Sequence, residues 1–299
     1  MAKWDKEYLK LCKKILTEGV EVENRTGVNT IKIPSYHFHF DLEEEFPVLT
    51  TKQLFFKNAI TEMLWIYQVQ SNDVRWLKER GNPIWNEWEI GEDGLWRATQ
   101  NVMEDGKLVK KEIVKDFGVE WAHTIGTAYG WIVKKYNQID KLIDSIKNNP
   151  TDRRMVISLW QNEFLDTAVL PSCVWSSEWD VTDGKLNMWV HQRSCDVPLG
   201  LPFNVTQYAV LLSLIAHSTG LKPGTIDWSI KDAHIYVNQV DGIKEQIRRG
   251  EELPDLEAPE LWINPEVRDF YEFDNSRELK DIKIRKYNHH GKISFPIAQ

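Results

Sequence analysis

From Leu54 to Gln70, Phe56, Ile60, Met63, Leu64 and Tyr67 recur at helical spacing, with Ala59, Trp65 and Ile66 between them. A helix apolar over most of its circumference has no face for water and is expected inside the fold. A second apolar helix is predicted over 205–219, VTQYAVLLSLIAHST, ending at Gly220. The chain has 299 residues, 42% hydrophobic and 27% charged, which is enough to enclose such elements in a core.

The remaining pattern mixes helices and strands. Residues 3–19 read as an amphipathic helix ending at Gly19, and RTGVNT (25–30) as a loop. IKIPSYHFHFDL alternates like a strand interrupted by Pro34. Residues 89–123 combine charges, Asp-Gly pairs and a basic run, and are read as a peripheral insertion with a hairpin at EDGK. An amphipathic helix over 137–147 precedes three strands, MVISLW (155–160), VWSSEWDV (174–181) and KLNMWVHQRS (185–194). TDGK forms the hairpin between the last two. TIDWSI is a strand candidate, HIYVNQVDGIKEQIRRG begins a helix, and the tail offers strand candidates around YEF (271–273) and at KISFPI. The chain is expected to be one α+β domain, 1–299, without repeats.

The net charge of −8 argues against general binding to nucleic acid or to an anionic membrane, though clustered arginines can hold a small anion. Cys12, Cys173 and Cys195 are irregularly spaced and suggest neither a disulfide framework nor a metal site. No signal-peptide core or membrane-length apolar run is present, and a reducing, cytoplasmic setting is expected. The 14 tryptophans supply core, but also flat faces for a planar ligand.

Taken alone, Cys173 in LPSCVWSSEWDV reads as a packing residue. Nucleophilic work needs a thiolate, which a nearby cation favours. Arg193, on the neighbouring strand of the hairpin, is the candidate, its alternative being a solvated strand arginine. Arg153 and Arg154 precede a strand and face opposite ways, so both cannot easily serve one chain's interior. They are either surface ion pairs or an anion clamp shared across an oligomer interface. Arg25 is a third anion-binding candidate. Glu62 lies within the apolar helix, where burial raises a carboxyl pKa and suits it to proton transfer, unless it is a satisfied structural carboxylate.

HQRSCDVPLGLPFNVTQY (191–208) resembles the signature segment of the thymidylate synthase family. RTGVNT, FPVLTTK, ITEMLW, IWNEW, the Arg153–Arg154 pair, DAHIYVNQ and FPIA match that family in order, and APELWINPEV resembles a bacterial and phage branch. The resemblance implies a large mixed sheet with helices on one face. The other face would form a homodimer interface, built from apolar strand faces in 155–194. It implies reductive methylation of dUMP to dTMP, with 5,10-methylenetetrahydrofolate as one-carbon and hydride donor and no metal. Cys173 would be the nucleophile toward uracil C6, with Glu62, Tyr129, Asn204 and Asp196 as the other catalytic residues. Arg25, Gln192, Arg193, Ser194, Asp196, Asn204, His234 and Tyr236 would bind dUMP, and Arg153 and Arg154 would come from the other subunit. Trp85, Trp88, Asp196, Leu199, Gly200, Phe203, Ile297 and Ala298 would line the folate site.

Some positions depart from the family pattern. Val174 stands where a histidine is common, Ser172 where a proline often sits and Lys231 where a glycine is usual. TTKQLFFK lacks the usual basic and histidine residues, and Gln299 replaces an apolar terminus. These departures keep open an alternative, a pyrimidine-nucleotide hydroxymethylase of the same fold, in which water rather than hydride ends the reaction.

Overall fold

A computed structural model describes the chain except for Arg25, Asp105, Gly106, Ala298 and Gln299, and except for the side chains of residues 100–104, 107 and 108. Helix α1 (Lys3–Glu18) turns Trp4, Tyr8, Leu11, Cys12 and Ile15 inward at the spacing of one helix face. Its Asp5 carboxylate is buried and accepts from the backbone N–H and hydroxyl of both Thr50 and Thr51, so the burial leaves no unmet acceptor. Strands β1 (Val20–Val22) and β2 (Thr30–Asp41) follow. The apolar helix is α2 (Phe56–Tyr67), buried on nearly every side as its composition demands. Next come α3 (Val74–Glu79), β3 (Leu95–Glu104), β4 (Lys107–Asp116), α4 (Gly130–Lys135) and α5 (Gln138–Asn148). The chain continues through β5 (Val156–Ser158), β6 (Val174–Thr182), β7 (Lys185–Gln192), β8 (Cys195–Asp196), α6 (Gly200–Thr219) and β9 (Lys222–Tyr236). Helix α7 (Val240–Glu252) and the antiparallel pair β10 (Glu260–Ile263) and β11 (Ile282–Arg285) complete it.

The main sheet has seven strands in the order β1-β2-β9-β7-β6-β5, with β8 also on β9. It is mixed, because β7 and β8 run parallel to β9 while the other pairs are antiparallel. Strands β7 and β8 lie end to end along β9, pairing Gln192 with Ile230 and Cys195 with Ala233, and are interrupted at Arg193–Ser194. At the same height the β2–β9 ladder steps from Ile33↔Ala233 to Ser35↔Lys231. Pro34 brings no N–H to that gap, and Asp232 opposite it adopts φ 57°. The sheet is therefore broken on both sides of β9 at one level, and the backbone there is free to turn side chains toward a ligand.

Helix α6 is the spine of the helical layer. Every residue from Val205 to Ala216 is buried. Its buried hydroxyls are satisfied, Thr206 by the distant Pro47 carbonyl at 2.9 Å and Ser213 by the Ala209 carbonyl one turn back at 2.7 Å. Val174, Trp179, Leu186, Met188 and Val190 belong to the same core as α6. This corrects the expected interface chemistry, since the apolar strand faces in 155–194 are already covered within the chain. The opposite face carries exposed Trp175 and Trp189 among polar groups, with Trp189 donating to Ser229 and His191 paired with Glu178.

Other expectations also change. The apolar helix predicted over 205–219 begins at Gly200, with Leu201 and Pro202 buried in its first turn. Residues 234–236 end β9 rather than open a helix, since β2 pairs with them. The tail strands around 271–273 and at 292–297 do not form; Phe270–Glu272 is a 3-10 turn, and the tail's sheet pairing lies at 260–263 and 282–285. The EDGK hairpin forms, with Glu104 opposite Lys107 and its tip outside the described residues. Truncating the fully buried Leu211 to alanine is expected to cost about 2–5 kcal/mol, read as a lower urea midpoint at fixed protein concentration.

Candidate active site

The loop before β6 presents Cys173, half-buried. Its N–H donates to the Tyr129 hydroxyl at 3.3 Å, and its carbonyl accepts from the Arg193 backbone N–H at 2.9 Å. The Arg193 guanidinium reaches back to the same loop, donating from Nε to the Ser172 carbonyl (3.0 Å) and from Nη2 to that of Pro171 (2.7 Å). The break between β7 and β8 permits this return, and it fixes a permanent cation on the loop that carries the thiol; a cation close to a thiol favours the thiolate.

Tyr129 is held just as firmly. It precedes α4 with φ 48° and ψ −109°, a costly conformation for a bulky side chain. The next residue must be glycine, because a Cβ on Gly130 would lie 2.1 Å from the Ser71 carbonyl oxygen. Burial raises the Tyr129 pKa far above the ordinary phenol value, so the hydroxyl stays protonated.

Glu62 of α2 faces Cys173 across a small enclosed cavity also lined by Tyr129, Val174, Asn204 and Gln207. Its Oε1 accepts from the Trp85 indole at 2.7 Å and its Oε2 from Gln207 Nε2 at 2.5 Å. Burial pushes its carboxyl up to about 7, and the two hydrogen bonds oppose the rise. Gln207 Oε1 accepts from Asn204 Nδ2 (3.3 Å), Asn204 Oδ1 from Gln192 Nε2 (3.2 Å), and Gln192 Oε1 from the Trp228 indole (3.0 Å). Trp85 is almost wholly buried, its ring edge-on to Trp88 and Tyr129.

A second group gathers where β8 meets the end of β9. Asp196 Oδ1 accepts from the Leu199 N–H at 3.0 Å, at the turn into α6. Burial raises the Asp196 pKa, and the Leu199 and Gln239 hydrogen bonds oppose the rise. His234 Nδ1 contacts Asp232 at 2.9 Å, and its ring meets Tyr236 edge-on at 5.3 Å. Asp232, also paired with Lys32 at 2.6 Å, is held down to about 2. Gly200 and Phe203 stand in the first turn of α6, and Ser194 in the sheet break. Ile297 is exposed.

Arg153 and Arg154 are not brought to this site. The β5–β6 register sets Val156 opposite Glu178, five residues on from Cys173 or roughly 17 Å of extended chain, and the arginine pair precedes Val156. Both are exposed, with Arg154 paired to Asp152. Lys231 is also exposed, opposite Ser35. Arg25, Ala298 and Gln299 lie outside the described residues. A wider groove of about 350 Å³, between Asn86–Gly91 and the β3–β4 hairpin, contains none of the predicted site residues. Sequence reasoning missed Gln207, Trp228 and Gln239. Gln207 had a readable signal: a polar residue in an apolar helix, one turn from Asn204. Trp228 had none.

Among the described residues no cluster of three or more His, Cys, Asp or Glu is placed to hold a metal, and no helix is long and apolar enough to cross a membrane. The thymidylate synthase family model matches residues 6–299. The thymidylate synthase of Clostridium beijerinckii is 48% identical over 298 residues, and that of Bacillus phage phi3T 37% over 317, each comparison covering 100% of both chains. The solved structure of the thermostable thymidylate synthase A from Bacillus subtilis superposes with a TM-score of 0.82 at 37% identity, covering 99% of each chain. These relatives give no support to the hydroxymethylase alternative. A mixed sheet with this helical layer, matched along nearly the whole chain, places the protein in the thymidylate synthase family, the methyltransferases that make dTMP from dUMP with 5,10-methylenetetrahydrofolate.

Proposed function

We propose that Cys173 is the nucleophile of this methyltransferase and that its cavity receives the uracil ring of dUMP. The observation that carries the reading is the convergence of Cys173, Tyr129, Glu62 and Asn204 on one enclosed space. The Cys173 thiolate forms a bond to C6, and the C5–C6 electron pair moves onto C5 and O4. The Asn204 amide, one donor and one acceptor, reads N3 and O4. Glu62, poised near neutrality, moves a proton at O4, and Tyr129 assists removal of the C5 proton. Arg193 and Ser194, with Gln192 and Arg25, hold the nucleotide; His234 and Tyr236 bond the sugar hydroxyl.

The co-substrate fits the second group: a half-buried carboxylate, Asp196, at the turn into α6, with aromatic surface from Trp88 and Phe203. Trp85, Leu199, Gly200, Ile297 and Ala298 complete that site. Bound there, 5,10-methylenetetrahydrofolate supplies the one-carbon unit and the hydride.

The active unit is a homodimer in this reading. In one chain Arg193 grips the Cys173 loop, while the exposed Arg153–Arg154 pair precedes β5, whose first residue Val156 pairs with Glu178, five residues on from Cys173. Packing the exposed sheet faces together lets each chain lend the pair to the other's site. Residues 89–123 are a peripheral insertion on a single domain, and a cytoplasmic setting suits three cysteines that form no disulfide.

Cys173→Ser is expected to lose turnover by about three orders of magnitude or more while still binding dUMP. Arg154→Ala should also be weak. Mixing the two proteins after partial unfolding should restore dTMP formation, measured by mass spectrometry, because hybrid dimers contain one intact site. No recovery would contradict the shared site. A second prediction concerns Glu62. Its raised pKa means the fold favours the protonated acid, so its stabilisation is complete below about pH 4.5 and is lost as pH rises toward 7. Relative to Glu62→Gln, the parent should lose on the order of 3 kcal/mol across that window in urea unfolding. A pH-independent difference would contradict it.

A further inference from the structure

The C-terminal tail is docked at the start of α7 by contacts that end on Asp196. Gln239, just before α7, is 1% exposed. Its Oε1 accepts from the Tyr236 N–H at 3.1 Å. That backbone group can only donate, so the amide has one orientation. Its Nε2 then faces two acceptors, Asp196 Oδ2 at 3.2 Å and the Pro296 carbonyl at 3.1 Å. One side chain thus touches the sugar-side strand, the folate-side carboxylate and the tail.

Neighbouring contacts hold the same tail. A Cβ on Gly242 would lie 2.5 Å from Phe295 Cε1, so the ring sits where a side chain would be. Lys52 Nζ lies 4.8 Å from the centre of that ring and donates to the Pro198 carbonyl, within the turn that begins at Asp196. Burial lowers the Lys52 pKa to about 8.

We propose that Gln239 is a positioning residue for the methyl transfer: its amide N–H groups tie the C-terminal tail to Asp196, so the folate-side carboxylate and the segment that covers it are set as one unit. This rests on the reading of Asp196 as a folate-site residue. The donor half of the amide is what matters, because only it reaches both Asp196 and Pro296.

The test compares Gln239→Glu, Gln239→Leu and Gly242→Ala with the parent. Glutamate matches glutamine in shape and still accepts from Tyr236, but it carries at most one donor, when protonated, and so cannot hold Asp196 and Pro296 together. Gly242→Ala favours the helix, so it folds, yet it displaces Phe295. Two quantities are read: the KM for methylenetetrahydrofolate at saturating dUMP, and the rate at which carboxypeptidase trims the C-terminus. Gln239→Glu and Gln239→Leu should each raise the folate KM about tenfold, with dUMP affinity changed less than about twofold. All three variants should be trimmed faster than the parent. A glutamate variant with parental KM and parental trimming would overturn the proposal, and so would faster trimming without a KM change, since the tail would then act independently of Asp196. Asp196→Asn separates the two readings. If it leaves the folate KM unchanged, the assignment of Asp196 fails. If it raises the KM while Gln239→Glu does not, Gln239 has no positioning role.

Discussion

A single file of hydrogen bonds crosses the interior from β9 to α2: Trp228, Gln192, Asn204, Gln207, Glu62. Its direction is set at the Trp228 end, because an indole N–H can only donate. Each amide along it therefore has one orientation, and turning any of them around would set donor against donor or acceptor against acceptor. A buried group left unmet in that way costs about 1–3 kcal/mol. Asn204 sits in the middle, so the face it presents to the cavity is decided by residues on β7, β9 and α2. Trp85 closes the file by donating to the other Glu62 oxygen. The same burial that keeps the carboxyl near neutrality demands that its partners be donors.

The rest of the site depends on a sheet that is interrupted where it would otherwise be regular. The missing Pro34 N–H, the left-handed Asp232 and the gap between β7 and β8 fall at one level of β9. There Arg193 leaves the ladder and grips the loop carrying Cys173. Strand geometry also sets the arginine pair apart: β5 opens at Val156 opposite Glu178, five residues on from Cys173, and Arg153 and Arg154 precede it, exposed.

Much of the layout was legible from residue pattern. The α2 and α6 helices were readable because their apolar residues leave no face for water. The β6–β7 hairpin was readable from alternation around TDGK, and that pattern alone puts Arg193 on the strand next to Cys173. Residues 234–236 misled because HIYVNQVDG runs into an amphipathic helix without a break in composition; only pairing with β2 makes them strand. The apolar strand faces of 155–194 were assigned to a subunit interface because burial is visible in a sequence while the covering element is not. Gln239 and Trp228 were missed for a related reason. Each acts through hydrogen bonds to residues distant in sequence, Gln192 for Trp228 and Asp196 and Pro296 for Gln239, and no local spacing encodes those partners.

Formation of a bond between the Cys173 sulfur and uracil C6 is the claim on which the chemistry stands. Its most direct test is a nucleotide whose C5 carries fluorine, which cannot leave as a proton. Incubation with 5-fluoro-dUMP and methylenetetrahydrofolate, followed by digestion and peptide mass spectrometry, should find the nucleotide and folate masses together on the peptide containing Cys173. A stable adduct on the Cys12 or Cys195 peptide, or a ternary complex that dissociates fully on denaturation, would contradict the account.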